Sequence, residues 1–240
     1  MKKILLVLFI ILSVYLNRAY AHIYAMMGDH NLPNPTTQKN ITFPHKSSTP
    51  TLKYVALGDS LSAGVGSSSF KDSFPYLRAE KLARKNSVTL VNLALPGVQS
   101  ADVLRNQVSL AILEDPQEIT LFVGINDLHN LQSPEDFGKT YRQIILELKN
   151  KTSAQITLIN LPNLGSDMLL YPPYNFLFDF RTRQFNKVIT EIGQEENLKV
   201  IDLYDFTKEI VSKNADFYSV DEFHPSASGY KLWEQTIDAN

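Results

Sequence analysis

The sequence predicts an α/β domain built on a parallel β-sheet with crossover helices, and three observations carry that reading. Five short runs are nearly continuous in apolar character, as strands covered on both faces are. Stretches with apolar residues at helical spacing lie between them. The 240 residues, 44% apolar and 20% charged, suit one globular domain with a sizeable core once the ends are set aside.

At the N-terminus Lys2 and Lys3 precede the apolar stretch Ile4 to Leu16, and Ala19-Tyr20-Ala21 offers small residues where a signal peptidase reads them. The apolar stretch is short beside the roughly 20 residues of a spanning helix. Residues 1–21 are therefore expected to be a signal peptide cleaved after Ala21, giving a secreted or periplasmic protein; the alternative is an uncut anchor. Residues 22–51 are read as a polar linker, because from Gly28 to Thr51 the chain is rich in Pro, Asn, Thr and Ser with no apolar period. His30 and His45 are expected to be solvated there. The domain is assigned to residues 52–240.

Within that domain the strands are expected at Tyr54–Leu57, Val88–Leu93, Ile119–Val123, Ile156–Leu161 and Val200–Leu203. Ser73 to Arg84 places Phe74, Leu77 and Leu82 near one side, as a helix would. Tyr141 to Leu148 does the same with Ile144, Ile145 and Leu148, and Phe180 to Glu195 with Phe185, Val188, Ile189 and Ile192. A last helix begins after Pro225, with Ser226 or Ser228 near its cap, and runs through Tyr230, Leu232, Trp233 and Ile237.

The chain contains no cysteine, which excludes a thiolate nucleophile, a thiolate zinc site and a disulfide framework. Covalent chemistry must then come from Ser, Thr, Lys or a carboxylate. The net charge is −2, and it becomes more acidic once Lys2, Lys3 and Arg18 leave with the signal peptide. That balance argues against nucleic acid as a partner.

In an open parallel sheet, loops converge beyond the carboxyl ends of the strands. Ser60 of Gly58-Asp59-Ser60-Leu61 follows the first expected strand, Gly97 the second and Asn126 of Gly124-Ile125-Asn126-Asp127 the third, while Asp221 and His224 come after the fifth. A serine hydroxyl needs a base within hydrogen-bond reach to become a nucleophile, and His224 is the candidate. The spacing Asp221-x-x-His224 lets the carboxylate accept the Nδ1 hydrogen and leaves Nε2 facing Ser60. Pro225 holds His224 in extended geometry. The N–H of Ser60, the N–H of Gly97 and the amide of Asn126 supply three donors for a developing oxyanion. Asp59 and Asp127 are expected to brace their turns through backbone N–H groups, and His129 to be a solvated loop histidine. A Gly-x-Ser-x-Gly elbow is absent from the sequence.

Gly58-Asp59-Ser60-Leu61-Ser62-Ala63-Gly64, Asn92 to Gly97, Gly124 to Asp127 and Asp221 to His224 resemble the four blocks of the SGNH hydrolase superfamily, the GDSL esterases and lipases. The resemblance spans roughly Lys53 to Trp233. Pro96 stands where such enzymes more often carry a small polar residue. The resemblance implies a flavodoxin-like three-layer α/β/α sandwich with a five-stranded parallel sheet. It also implies no metal, no organic cofactor, and ester or thioester hydrolysis through an acyl-serine. By position Ser60 is then the nucleophile, His224 the base and Asp221 its orienting acid, with Ser60, Gly97 and Asn126 forming the oxyanion hole.

Between Asn163 and Phe180 the chain is apolar and aromatic, with a period neither helical nor alternating. Leu169, Leu170, Tyr171, Tyr174 and Phe176 are candidates for an acyl-binding wall or lid; the alternative is an irregular connection that covers the core. The expected partner is a small ester or lipid, such as a lysophospholipid or a short to medium acyl ester, with transient contact at a membrane surface. The sequence specifies no oligomeric state. Two other readings are an O-acetyl esterase of a cell-surface polysaccharide and a non-catalytic binding protein on the same fold.

Overall fold

A computed structural model describes residues 2–26, 32, 40–45, 51–164, 170–210 and 216–239. The elements in chain order are α1 (Lys2–Met26), β1 (Asn40–Phe43), β2 (Leu52–Gly58), α2 (Ser60–Ala63), a 3₁₀ turn (Phe70–Asp72), α3 (Phe74–Leu82), β3 (Val88–Asn92), α4 (Ser100–Asn106) and α5 (Val108–Leu113). They continue with β4 (Glu118–Phe122), α6 (Ile125–His129), α7 (Pro134–Lys151), β5 (Gln155–Ile159), α8 (Tyr174–Glu195), β6 (Lys199–Ile201), α9 (Leu203–Ile210) and α10 (Ala227–Ala239).

The sheet order is β1-β3-β2-β4-β5-β6, and the five expected strands make its parallel part. The chain starts centrally at β2, steps to β3 on one side and returns to β4 on the other. That reversal opens the crevice where ligands of such sheets bind. Helices cover both faces. On one, α3 packs with α10, where Phe74, Phe122 and Trp233 meet edge to face. On the other, α7 lies against α8 with Phe137 stacked on Phe185 at 4.6 Å. Buried aliphatic residues of β2, β4 and β5, among them Val55, Leu121 and Leu158, join these layers into one core.

Part of the expected linker is a strand. Asn40–Phe43 pairs antiparallel with β3, Asn40 opposite Val91 and Phe43 opposite Val88. Its alternation puts Ile41 and Phe43 on the protein side, and Phe43 meets Tyr76 at 4.9 Å. His45 donates its N–H to Ser87 Oγ at 3.1 Å. The segment expected to be irregular also changes character, because Tyr174 to Phe180 forms the first turns of α8. β6 is shorter than expected: Asn160 Oδ1 accepts the N–H groups of Leu203 and Tyr204 and starts α9 there. The N-terminal helix extends beyond the apolar stretch Ile4 to Leu16, since α1 continues through Asn17 and Arg18 to Met26.

The junction after β2 sets the position of the site. Gly58 has φ +145°, and a Cβ there would stand 2.0 Å from the Phe122 carbonyl oxygen of the neighbouring strand. Gln107 completes the strand end with two hydrogen bonds of 2.9 Å, accepting the Gly58 N–H and donating to its carbonyl. Gly58→Ala is expected to lower the unfolding free energy by about 3 kcal/mol or more, since both backbone strain and a backbone clash oppose it. Denaturant melts check this, and a midpoint equal to that of the parent would contradict it.

Candidate active site

Ser60 is the first residue of α2, directly after the Gly58-Asp59 turn. Asp59 caps the helix by accepting the Leu61 N–H at 3.0 Å, and Gly64 ends it in the left-handed conformation. Such a short helix holds Ser60 at its N-terminal turn, where N–H groups lack intrahelical acceptors.

The loop before α10 brings the imidazole. Tyr218 bridges to Pro225, Ser219 donates its N–H to the His224 carbonyl at 2.8 Å, and Glu222 takes φ 58° to turn the chain. His224 Nε2 lies 2.9 Å from Ser60 Oγ, and its Nδ1 lies 2.5 Å from Asp221 Oδ2. The other Asp221 oxygen accepts Ser219 Oγ–H at 2.6 Å and the N–H groups of Phe223 and His224 at 3.1 and 3.0 Å. Burial alone would raise this carboxyl. The hydrogen bonds from His224, Ser219 and the backbone outweigh it and bring the pKa down to about 2. Gly66 backs the arrangement closely: a Cβ there would stand 2.7 Å from His224 Cβ.

Gly97 and Asn126 line the same cleft as Ser60 and His224. Gly97 adopts φ +78° in the turn after Pro96, with open space where a Cβ would point. Asn126 donates from Nδ2 to the Val98 carbonyl at 2.9 Å, which ties its amide to the Gly97 loop. That leaves the amide a second hydrogen to offer an oxyanion. Asp127 fixes the same loop from beneath: it accepts the Ser100 N–H at 2.9 Å and the Ser100 hydroxyl, joining α6 to α4.

Two expectations are corrected here. His129 is not a solvated loop residue. Its ring sits 5.6 Å from Phe178 and 5.5 Å from Phe223, and burial, with His224 nearby, pushes its pKa down to about 4. It faces the cleft as a neutral ring. Of the candidate acyl wall, the described residues Leu170, Tyr171, Tyr174 and Phe176 are not among those that line the cleft. Leu170 is buried against Ile23, Phe178, Tyr218 and Phe223. Tyr171 and Tyr174 meet His22 and Tyr20 of α1, and Phe176 is 69% exposed. Leu169 lies outside the described residues.

The apolar lining comes instead from Leu32, Val65, Pro96 and Phe223. Leu32 stands alone in a polar stretch, so nothing in the sequence marks it. Gln107, Asn92 and Ser219 also escaped sequence reasoning. Asn92 donates to the Ser62 carbonyl at 2.9 Å, and so binds β3 to the Ser60 turn. For Asn92 the resemblance gave a hint, since it opens the second block.

Asp59 differs from Asp221 in what it lacks. Its Oδ2 is buried without a hydrogen-bond partner, and desolvation raises its pKa to about 7 despite the Leu61 N–H, with Asp127 adding to the rise. The folded protein therefore binds a proton on Asp59 that the unfolded chain releases near pH 4. Stability contributed by this group falls as pH rises from about 4 to about 7 and is flat above. Asp59→Asn keeps the cap acceptor and is expected to remove that slope. Urea melts between pH 4.5 and 7.5 test this, and an unchanged slope in the variant would contradict it.

The chain is similar to known proteins in sequence and in fold. The sequence model of the GDSL-like lipase/acylhydrolase family matches residues 56–232. The spore germination lipase LipC of Bacillus licheniformis is 27% identical, over 79% of this chain and 96% of that protein. A lipase from a goat rumen metagenome superposes with TM-score 0.67 at 24% identity, covering 78% of this chain and 96% of its own. A lipase/acylhydrolase from Enterococcus faecalis gives TM-score 0.63 at 26% identity, covering 78% and 93%. The chain belongs to the GDSL-like lipase/acylhydrolase family and is a carboxylic ester hydrolase.

Proposed function

We propose that the protein is an exported serine esterase that cleaves single-chain acyl esters, lysophospholipids and short to medium acyl esters among them, through an acyl-Ser60 intermediate. The observation that carries the reading is the unbroken chain of hydrogen bonds from Ser60 Oγ through the His224 ring to Asp221.

On this reading His224 Nε2 takes the Ser60 proton while Oγ bonds to the ester carbonyl carbon. Asp221, ionised at neutral pH, stabilises the imidazolium that results. The carbonyl electron pair moves onto oxygen, facing the N–H groups of Ser60 and Gly97 and the Asn126 amide. As the carbonyl reforms, the alcohol leaves with the proton from His224. Water then repeats the sequence against the acyl-serine and releases the acid. Apolar Leu32, Val65, Pro96 and Phe223 around Ser60 support an acyl chain as the group accommodated. The apolar helix α1 supports export, as an N-terminal segment that engages the membrane.

Ser60→Ala is expected to lower kcat on p-nitrophenyl butyrate by roughly four orders of magnitude or more in folded protein. Retention of activity would overturn the mechanism. Asn126→Ala is expected to lower kcat by about 10² to 10³ with little change in KM, because its contribution is made at the transition state. Steady-state kinetics checks both, and a change confined to KM would remove Asn126 from the oxyanion site. A chain-length series separates acyl ester cleavage, with turnover extending to medium chains, from deacetylation, with turnover confined to acetate.

A further inference from the structure

One helix of this protein has the wrong surface for water. From Ile4 to Leu12 every side chain of α1 is exposed on all sides of the helix, with Ile4, Leu5, Phe9 and Ile11 each more than half exposed. A helix apolar all round needs an apolar surrounding. Its other end has found a protein partner. Ala19 is 1% exposed, Ile23 packs against buried Leu170, and the rings of Tyr20 and His22 lie 6.4 and 4.7 Å from Tyr174 and Tyr171. The docked residues straddle the bond after Ala21, where the sequence offers a cleavage site.

The length and polarity of α1 suit a bilayer. The apolar turns Ile4 to Leu16 are about 20 Å long, and the flanking Lys3 and Arg18, whose stems reach toward the headgroups, close the remaining mismatch with a hydrocarbon core of about 30 Å. Lys2 and Lys3 mark the cytoplasmic end. Asn17 donates to the Ser13 carbonyl at 2.8 Å within the helix, so its amide is partly satisfied without water. Arg18, near the far end, reaches the headgroups along its aliphatic stem. At that same end aromatic residues gather as they do at membrane interfaces: Tyr20 and Tyr24 on α1, with Tyr171 and Tyr174 against its last turns. Phe176, Leu177 and Phe180 continue this face along the first turns of α8 with 69%, 48% and 59% of their surface exposed. Leu32, six residues beyond the end of α1, lines the Ser60 cleft. Six residues span at most about 20 Å, so the cleft stays close to where α1 leaves the membrane.

We propose that α1 is retained as a membrane-spanning anchor, and that its last turns with Tyr171, Phe176, Leu177 and Phe180 form a face seated in the non-cytoplasmic lipid interface. The occupant of this face is a lipid bilayer. The anchor then holds the cleft beside the acyl chains of the bilayer; the anchor stands independently of the proposed reaction, whereas the reading of the face rests on it.

The test uses the full chain, tagged at its C-terminus and expressed in a bacterial host. Carbonate-washed membranes are expected to retain it, with an intact mass that begins at residue 1. A carbonate-soluble chain beginning at His22, or a carbonate-soluble oligomer with the helix intact, would overturn the anchor. The double variant Leu177→Asp/Phe180→Asp tests the face. It is expected to hydrolyse water-soluble p-nitrophenyl acetate at the parent rate. On the medium-chain ester p-nitrophenyl decanoate in vesicles of phosphatidylcholine and phosphatidylglycerol its rate is expected to fall about tenfold. Equal losses on both substrates, or none on either, would overturn the face. Carbonate retention reads the anchor even if no ester is turned over, so failure of the proposed function remains distinguishable.

Discussion

The contact between Ser60 and His224 joins residues 164 positions apart at 2.9 Å, and most of the polar structure around it serves to hold its two ends. On the serine side, Gly58 admits the backbone of β4, Gln107 closes the strand end and Asn92 pins Ser62. On the histidine side, Ser219 grips both the His224 carbonyl and the Asp221 carboxylate. Tyr230, from α10, donates to the Val65 carbonyl at 2.7 Å and ties the two sides together. Each of these is buried or nearly so, where an unmade hydrogen bond is costly, so the alignment is stiff.

Three aspartates near this contact illustrate how environment assigns roles. Asp221 collects donors on both oxygens and stays ionised, which is what a partner of an imidazolium must do. Asp127 is also rich in donors from Ser100, yet desolvation still raises its pKa, and it faces the scaffold rather than the imidazole. Asp59 has one donor and one orphaned oxygen, and burial holds it protonated well into the neutral range. The same side chain thus serves as charge, brace and neutral cap.

Much of the fold was legible because a parallel sheet covered on both faces writes its strands as apolar runs, and β2 to β6 are such runs. The meeting of Ser60, Gly97, Asn126 and His224 in one cleft followed from those strands, since each residue closes a strand or loop at the same sheet end. What was not legible depended on tertiary contacts. β1 is four residues long, and only its pairing with β3 makes Asn40–Phe43 a strand. Leu32 is a lone apolar residue whose role exists only once the cleft is assembled. The first turns of α8 hid behind aromatic residues on several sides, because that helix end meets α1 and solvent as well as the core. His129 looked like a loop residue until Phe178 and Phe223 enclosed it.

The proposed chemistry requires Ser60 to react as a nucleophile ahead of the other serines. The most direct measurement is peptide mapping by mass spectrometry after treating the folded protein with a fluorophosphonate, alongside loss of ester hydrolysis. The account predicts a single adduct, on the peptide containing Ser60, formed in step with loss of activity. Full activity with Ser60 unmodified, or inactivation with the adduct on another residue, would contradict it.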